Sequence, residues 1–165
     1  MRRAAFVTAI VLWSVSALHA QNLPKARVQD LAGNTVQSET WIDNETPFVL
    51  SFWSSTCKPC IQELDLMSEN LEEWCEQTPF RVIAVSVDDS RSVARARSLA
   101  IGRGWDEFTL AFDVNSDFRR AMNITSVPRV FVFDKDGRQV YMHTGYKPGD
   151  EYEVLKAVRK LGNER

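Results

Sequence analysis

Two kinds of hydrophobic pattern alternate along this chain. Short, continuous apolar runs are typical of strands buried on both faces, and apolar residues that recur every three or four positions are typical of amphipathic helices. Strands are predicted at Ala26–Leu31, Thr35–Gln37, Pro47–Trp53, Phe80–Val87, Phe108–Phe112, Val130–Phe133 and Gln139–His143. Helices are predicted at Lys58–Cys75, Ser90–Ile101, Ser116–Met122 and Asp150–Leu161. The first two and the last two strands have the short turns of hairpins, and the alternation between them predicts parallel strands joined by crossover helices.

The first twenty residues have the pattern of an export signal. Two arginines precede a mostly apolar run, Ala4–Leu18, and small residues surround Ala20. We expect cleavage after Ala20, which would separate a signal peptide, 1–20, from a mature domain, 21–165. The alternative is an uncleaved membrane anchor, although the run is short for a membrane span. The protein is therefore expected in the periplasm.

Composition limits the classes of function. The chain has 165 residues, enough for one domain with its own core once the leader is removed, and it contains no repeats or interdomain linkers. Its formal net charge is −2. Removal of the two arginines of the leader makes the remainder more acidic. This charge gives no electrostatic basis for binding nucleic acid or anionic lipid.

The chain has three cysteines, an odd number for an exported protein with a purely structural disulfide framework. Cys57 and Cys60 lie three residues apart, at the junction between a predicted strand and a predicted helix. A disulfide between them closes a loop too small to add much stability. The third, Cys75, lies at the far end of the same helix, where a buried thiol behaves as a small hydrophobic residue. The spacing of the first pair therefore indicates redox chemistry.

The start of a helix favours a reactive thiolate. Free backbone N–H groups and the positive end of the helix dipole stabilise an anion there, and Lys58 adds a neighbouring cation. Pro59 is tolerated in the first helical turn because its missing N–H is not needed there. We therefore expect Cys57 to attack a protein disulfide and Cys60, one turn deeper, to resolve the mixed disulfide.

In this order, the motifs resemble the thioredoxin-fold proteins of the exported TlpA/ResA-like branch. The resemblance covers nearly the whole mature sequence, from the N-terminal hairpin through the Cys-x-x-Cys motif to Val127-Pro128 and the last hairpin and helix. It implies an α/β thioredoxin-like fold: a central mixed β-sheet flanked by helices, with an N-terminal β-hairpin and an extra strand-helix insertion. It also implies that the cis proline of the family falls on Pro128, packed against the redox-active pair of Cys57 and Cys60.

The chain departs from the family pattern at three positions. Thr56 stands where many relatives have tryptophan, Ser51 where thioredoxin has a buried aspartate, and Asp65 where a proline often kinks the helix. Glu63 partly compensates for Ser51, because it lies three residues after Cys60 on the same helical face and matches a glutamate of many TlpA-like proteins. A partly buried Glu63 would accept the proton of Cys60 during resolution.

Client proteins are expected to contact a small group of residues around the cysteines. Val127 and Pro128 would present a backbone edge to an extended client strand, and Trp53 and Lys58 flank the cysteines in sequence. The alternatives are core packing with some exposure for Trp53 and simple solvation for Lys58. Asp88 and Asp89 are interpreted as residues of a strand end.

Metal binding is the alternative chemistry for the two thiols. Zinc normally takes four protein ligands, and no second pair of ligands lies at a useful spacing. Copper(I) suits thiolates, and Cys57, Cys60 and His143 could hold it, but a lone histidine in a terminal hairpin is usually a surface residue. We therefore expect no metal and no cofactor.

These observations predict a periplasmic thiol:disulfide oxidoreductase. The resemblance favours reduction of client proteins, including the haem-attachment cysteines of cytochrome c, with electrons from a membrane donor. The partners would be proteins with disulfides or thiols. A disulfide-forming oxidant and a peroxiredoxin-like thiol peroxidase remain alternatives; for the peroxidase, Ser54 stands where a threonine is expected and no suitable upstream proline is present.

Overall fold

A seven-stranded mixed sheet forms the centre of the protein, which is described by a computed structural model for residues 21–163. The strand order is β2-β1-β5-β4-β3-β6-β7. The strands are β1 (Arg27–Gln29), β2 (Thr35–Gln37), β3 (Phe48–Trp53), β4 (Arg81–Ser86), β5 (Thr109–Phe112), β6 (Arg129–Phe133) and β7 (Gln139–Thr144). The three central strands β3, β4 and β5 are parallel, and the remaining pairs are antiparallel. This is the predicted thioredoxin-like architecture.

Helices cover both faces of the sheet. They are α1 (Lys58–Gln77), α2 (Val93–Gly102), α3 (Asp117–Ala121) and α4 (Asp150–Asn163). Apolar residues of α1, α2 and α4 pack in one cluster with Val49 and Val130. Phe118 of α3 packs in a second cluster with Phe52 and Phe131. The two clusters use alternate residues of the same strands, because successive side chains of a strand point to opposite faces of the sheet.

The hydrophobic pattern gave the order of the strands and helices correctly, with shifts of one to three residues at most boundaries. The largest shift is at α2, predicted from Ser90 and observed from Val93. A 3₁₀ helix at Ser38–Trp41 was not predicted. The predicted export signal lies outside the described residues. Within residues 21–163, no helix is both long enough and apolar enough to cross a membrane.

The parallel strands bring the chemically interesting segments to one edge of the sheet. Ser55 and Cys57 follow β3, and Asp88 follows β4, so both segments leave the carboxyl ends of neighbouring strands. Pro128 immediately precedes β6, and Phe52 of β3 pairs with Arg129 of β6. The Cys-x-x-Cys segment, the segment after β4 and the Val127-Pro128 segment are therefore adjacent in space.

Candidate active site

Cys57 and Cys60 form a disulfide at the start of α1. Their sulfur atoms are 2.03 Å apart. Cys57 occupies the N-cap position of α1, and the backbone N–H of Cys60 donates a hydrogen bond to Cys57 Sγ at 3.3 Å. Pro59 lies in the first turn, as predicted. After reduction the same backbone donor can stabilise a thiolate at Cys57, because an N–H group at a helix start interacts favourably with an anion.

The two sulfurs differ in exposure. Cys60 is completely buried, whereas Cys57 is half-buried between the exposed residues Thr56 and Lys58. A second protein can therefore reach Cys57 and cannot reach Cys60. Thiol–disulfide exchange with a second protein requires an accessible sulfur, so Cys57 is the cysteine that can react with that protein.

The Val127–Pro128 segment lies beside the cysteines. The peptide bond between these residues is cis. Val127 packs on the same apolar cluster as Cys57, and Thr56 and Val127 line one common groove. Lys58 is exposed and lines a separate groove with residues of α1. Val127 and Lys58 are thus accessible to a second protein near Cys57.

Trp53 does not belong to this accessible group. Its side chain is fully buried, and its ring meets that of Trp105 edge to face, with 5.1 Å between the centroids. The predicted contact of Trp53 with a client and its predicted partial exposure are therefore wrong. Trp53 is the last residue of β3, and its side chain points to the face of the sheet that α1 covers, which the apolar pattern of β3 alone could not show.

The buried Glu63 and the partly exposed His143 form a pair on the side of Cys60. Glu63 is fully buried, three residues after Cys60 on α1, and its Oε1 lies 2.8 Å from Nε2 of His143. The side chain of His143 is 13% exposed. The expectation that His143 is a surface residue is therefore wrong. The other polar atoms of the pair, Glu63 Oε2 and His143 Nδ1, have no hydrogen-bond partner among residues 21–163.

The sheet register explains how His143 reaches Glu63. Ser51 pairs with Val130, and Val130 pairs with His143, so the three residues form one row across β3, β6 and β7. Directly paired residues point to the same face of a sheet, and Val130 packs in the cluster that α1 covers. His143 could have been found from the sequence only if the register of the terminal hairpin had been known.

Burial raises the pKa of Glu63. The loss of hydration is the largest cause, the hydrogen bond from His143 opposes it, and the negative charges of Asp150 and Glu151 add to it. An ordinary exposed glutamate is fully ionised at neutral pH, whereas a raised pKa lets Glu63 exchange a proton nearer neutrality. The site thus contains a carboxyl group that can hold or accept a proton, three residues after the buried cysteine on the same helix.

Asp88 fixes the loop that leads to Cys57. Its carboxylate accepts hydrogen bonds from the backbone N–H and the hydroxyl of Ser55, both at 2.7 Å, and from the hydroxyl of Ser86 at 2.8 Å. Asp88, Ser55 and Ser86 are all buried. The interpretation of Asp88 as a residue of a strand end was therefore incomplete, because the carboxylate also anchors Ser55, two residues before the half-buried Cys57.

We expect Asp88→Ala to lower the free energy of unfolding by about 3 kcal/mol, because it leaves one buried N–H and two buried hydroxyls without their acceptor. Chemical denaturation measures the loss. The control is Asp89→Ala, which removes a half-exposed carboxylate paired with the exposed Arg91 and should cost much less. Equal losses in the two variants would contradict the anchoring role of Asp88.

Cys75 is the free cysteine of the described residues. It is half-buried near the end of α1, and its Sγ donates to the carbonyl oxygen of Phe80 at 3.3 Å. Among residues 21–163, no three His, Cys, Asp or Glu side chains are grouped so that they could hold a metal ion. His143, the third ligand considered for copper, is engaged with Glu63.

Comparisons with known proteins agree with this geometry. The Redoxin family model matches residues 19–159. The thiol-disulfide oxidoreductase ResA of Bacillus thuringiensis subsp. konkukian is 24% identical over 82% of this chain and 75% of its own length. A thioredoxin-like protein from Porphyromonas gingivalis is 40% identical, with a TM-score of 0.76 over 88% of this chain and 94% of that one.

A further solved structure supports the fold alone. The thioredoxin domain of a thiol-disulfide oxidoreductase from Bacteroides vulgatus is 19% identical, with a TM-score of 0.68 over 88% of this chain and 99% of that chain. The family match, the relatives and the paired cysteines at the start of α1 lead to one assignment. The chain belongs to the Redoxin family, as a TlpA/ResA-like protein with the thioredoxin fold.

Proposed function

We propose that this thiol:disulfide oxidoreductase works in the periplasm as a reductase of protein disulfides. The observation that supports the proposed chemistry is the difference in accessibility between its two cysteines. Cys57 is accessible at a helix start with an N–H donor aimed at its sulfur, and Cys60 is buried directly behind it. This arrangement suits a cycle in which one cysteine attacks and the other resolves.

The cycle begins with the reduced dithiol. The Cys57 thiolate attacks one sulfur of a client disulfide, a mixed disulfide forms, and the second client sulfur leaves as a thiolate. Cys60 then loses its proton and attacks the Cys57 sulfur, which releases the first client sulfur as a thiolate. Two electrons have moved from the protein to the client, and the product is the Cys57–Cys60 disulfide. A dithiol partner must return two electrons before the next cycle.

Glu63 is proposed as the proton acceptor for Cys60. It is buried on the same side of α1, one turn further along, and burial raises its pKa towards the range in which it can take up a proton. His143 donates to or accepts from Glu63 across a distance of 2.8 Å and fixes the position of its carboxyl group. We therefore propose that Glu63 is catalytic and that His143 is a positioning residue.

Client binding is proposed at the surface around Cys57. An extended client segment would pair through its main chain with the backbone of Val127, directly before Pro128, and Lys58 would contact it from the other side of the cysteine. The support is the accessibility of Val127 and Lys58 and their closeness to the segment before Cys57. No role in client contact is proposed for the buried Trp53.

The cellular part of the proposal depends on the N-terminal sequence and on the family. Residues 1–20 are proposed to be an export signal, cleaved after Ala20 or retained as an anchor, followed by the thioredoxin-like domain, 21–165. The relatives named thiol-disulfide oxidoreductase ResA support thiol–disulfide exchange, and the direction of reduction is proposed from the resemblance to the TlpA/ResA-like branch. Electrons would come from a membrane donor, and the clients would include the haem-attachment cysteines of cytochrome c.

One experiment tests the function and its alternatives. We expect the purified protein to reduce the disulfides of insulin with dithiothreitol as electron source, and to turn over hydrogen peroxide far more slowly. In the native host, the Cys60→Ala variant should retain client proteins covalently on Cys57. Peroxide turnover that exceeds insulin reduction would favour the thiol peroxidase. Client proteins that accumulate in the thiol form in the host with the Cys60→Ala variant would favour the disulfide-forming oxidant. Stoichiometric copper(I) binding with loss of free thiols would favour the metal carrier.

A further inference from the structure

An open groove of about 700 Å³ starts next to the redox-active cysteines. We call it the arginine groove and define it by six of its lining residues, which are Ser54, Thr56, Arg91, Arg95, Arg119 and Val127. Thr56 directly precedes Cys57, and Val127 directly precedes Pro128. A polypeptide whose disulfide is attacked at Cys57, and whose backbone lies along Val127, must therefore pass over or beside this groove.

Positive charge dominates the lining of the arginine groove. Three arginines and two aspartates, Asp88 and Asp89, contribute to it. Both oxygens of Asp88 are taken up by Ser55 and Ser86 inside the protein. Both oxygens of Asp89 are bonded to Arg91 and Ser92. The remaining cations therefore have no free carboxylate of the lining to bind.

Arg95 and Arg119 are these remaining cations. Within residues 21–163, the guanidinium group of each donates a hydrogen bond only from Nε, and each acceptor is an uncharged oxygen: Ser55 Oγ for Arg95 and the Ile124 carbonyl for Arg119, both at 3.0 Å. Neither arginine forms an ion pair with any residue from 21 to 163. The terminal nitrogens of a guanidinium group bind a carboxylate through two parallel hydrogen bonds.

We propose that the arginine groove binds an acidic side chain of the client polypeptide close to its disulfide. The proposal rests on the proposed function, because it names a property of the client that Cys57 attacks. The formal net charge of the chain is −2, so the overall field of the protein does not attract an acidic client. The attraction is local to the groove, and it increases the rate at which acidic clients are captured in the correct orientation.

The test compares two peptides that differ only in charge. Each peptide has one cysteine joined by a disulfide to 2-thiopyridine, and the flanking residues are two aspartates in one peptide and two asparagines in the other. The Cys57 thiolate of the reduced Cys60→Ala variant attacks the peptide sulfur, the bond to 2-thiopyridine breaks, and the thione that leaves is followed by absorbance. Mass mapping confirms that the adduct is on Cys57 and not on Cys75.

We expect the acidic peptide to react about fivefold faster than the neutral one at low ionic strength, which is the upper range for exposed charge pairs. The ratio should fall towards one when Arg95→Gln and Arg119→Gln are combined in the same variant, and also in about 0.5 M salt. The matched control is Arg159→Gln, which removes an arginine of α4 that contacts Gln77 and does not line the groove. The control should keep the ratio.

A charge reversal guards against misfolding of the double variant. Arg95→Glu and Arg119→Glu, combined in one variant, should favour a third peptide, in which two lysines replace the aspartates, over the acidic one. A ratio near one in the parent Cys60→Ala protein, or a ratio that survives loss of both arginines, overturns the proposal. Failure of the proposed function has a different signature, since both peptides would then react with Cys57 no faster than with an unstructured thiol.

Discussion

Cys57→Ser will lower the rate of disulfide reduction by at least roughly a thousandfold, because it removes the nucleophile on which every later step depends. A serine hydroxyl at the same N-cap position can accept the hydrogen bond from the N–H of Cys60, so the fold should be retained. Cys60→Ala will behave differently. It leaves the attacking sulfur in place, so the client disulfide is opened once and the mixed disulfide accumulates.

Insulin reduction measures the loss of turnover, and mass spectrometry under non-reducing conditions measures the trapped intermediate. Cys75→Ser is the matched control, since Cys75 is the cysteine outside the disulfide and lies near the other end of α1. It should retain most of the activity. Substantial turnover by Cys57→Ser, or a stable adduct on Cys60 in place of Cys57, would contradict the proposed order of attack.

Glu63→Gln will slow the resolving step on the order of 100-fold at neutral pH, the scale of a lost general base. Glutamine has nearly the same shape and can still bond to His143, but it cannot accept the proton of Cys60. In the parent protein the rate should rise as Glu63 ionises, at a pH above the ordinary value for glutamate, and then level off, whereas the variant should lose this inflection. Single-turnover release of the client from the mixed disulfide isolates the resolving step.

His143→Gln is the companion variant for Glu63→Gln. It should shift the inflection to higher pH, because glutamine cannot carry the positive charge of a protonated imidazole, which lowers the pKa of Glu63 and thus opposes the effect of burial. Glu72→Gln is the control, since Glu72 is exposed on the same helix, and it should change neither the rate nor the profile. The same pH profile in Glu63→Gln as in the parent protein would exclude the role as proton acceptor.

The stability of the parent protein and that of Glu63→Gln should depend differently on pH. Because burial raises the pKa of Glu63, the folded protein still holds the proton at pH values where the unfolded chain, with an ordinary value near 4.5, has lost it. The free energy of unfolding of the parent protein therefore contains a contribution that falls as the pH rises from 4.5 through the raised pKa. Glu63→Gln lacks this contribution, so its stability relative to the parent should increase between pH 4.5 and pH 8.

Local sequence patterns were sufficient for most of the fold. The continuous apolar run ending at Trp53 and the three- to four-residue spacing after Lys58 identified β3 and α1 within one or two residues, because these patterns reflect burial on two faces and on one face. The 3₁₀ helix at Ser38–Trp41 has no such pattern. It is a single turn stabilised by contacts distant in sequence, including the Ser38 hydroxyl that accepts from the N–H of Ala26 at 2.9 Å.

The candidate site was only partly predictable. The two cysteines and Pro59 could be assigned from the sequence, because a dithiol at a strand-to-helix junction is a local motif. The roles of His143 and Asp88 depend on partners 80 and 33 residues away in the chain. A single sequence does not contain the register that brings these partners together.

The amino-acid sequence by itself therefore determined the order of strands and helices, the thioredoxin-like class and the sulfur pair, all of which depend on neighbouring residues. Only the tertiary structure decided that Trp53 is buried, that Glu63 meets His143 and that two arginines without carboxylate partners in the described part of the chain line a groove beside Thr56. The physical reason is that burial and charge pairing depend on which strands lie side by side and on which face each helix covers.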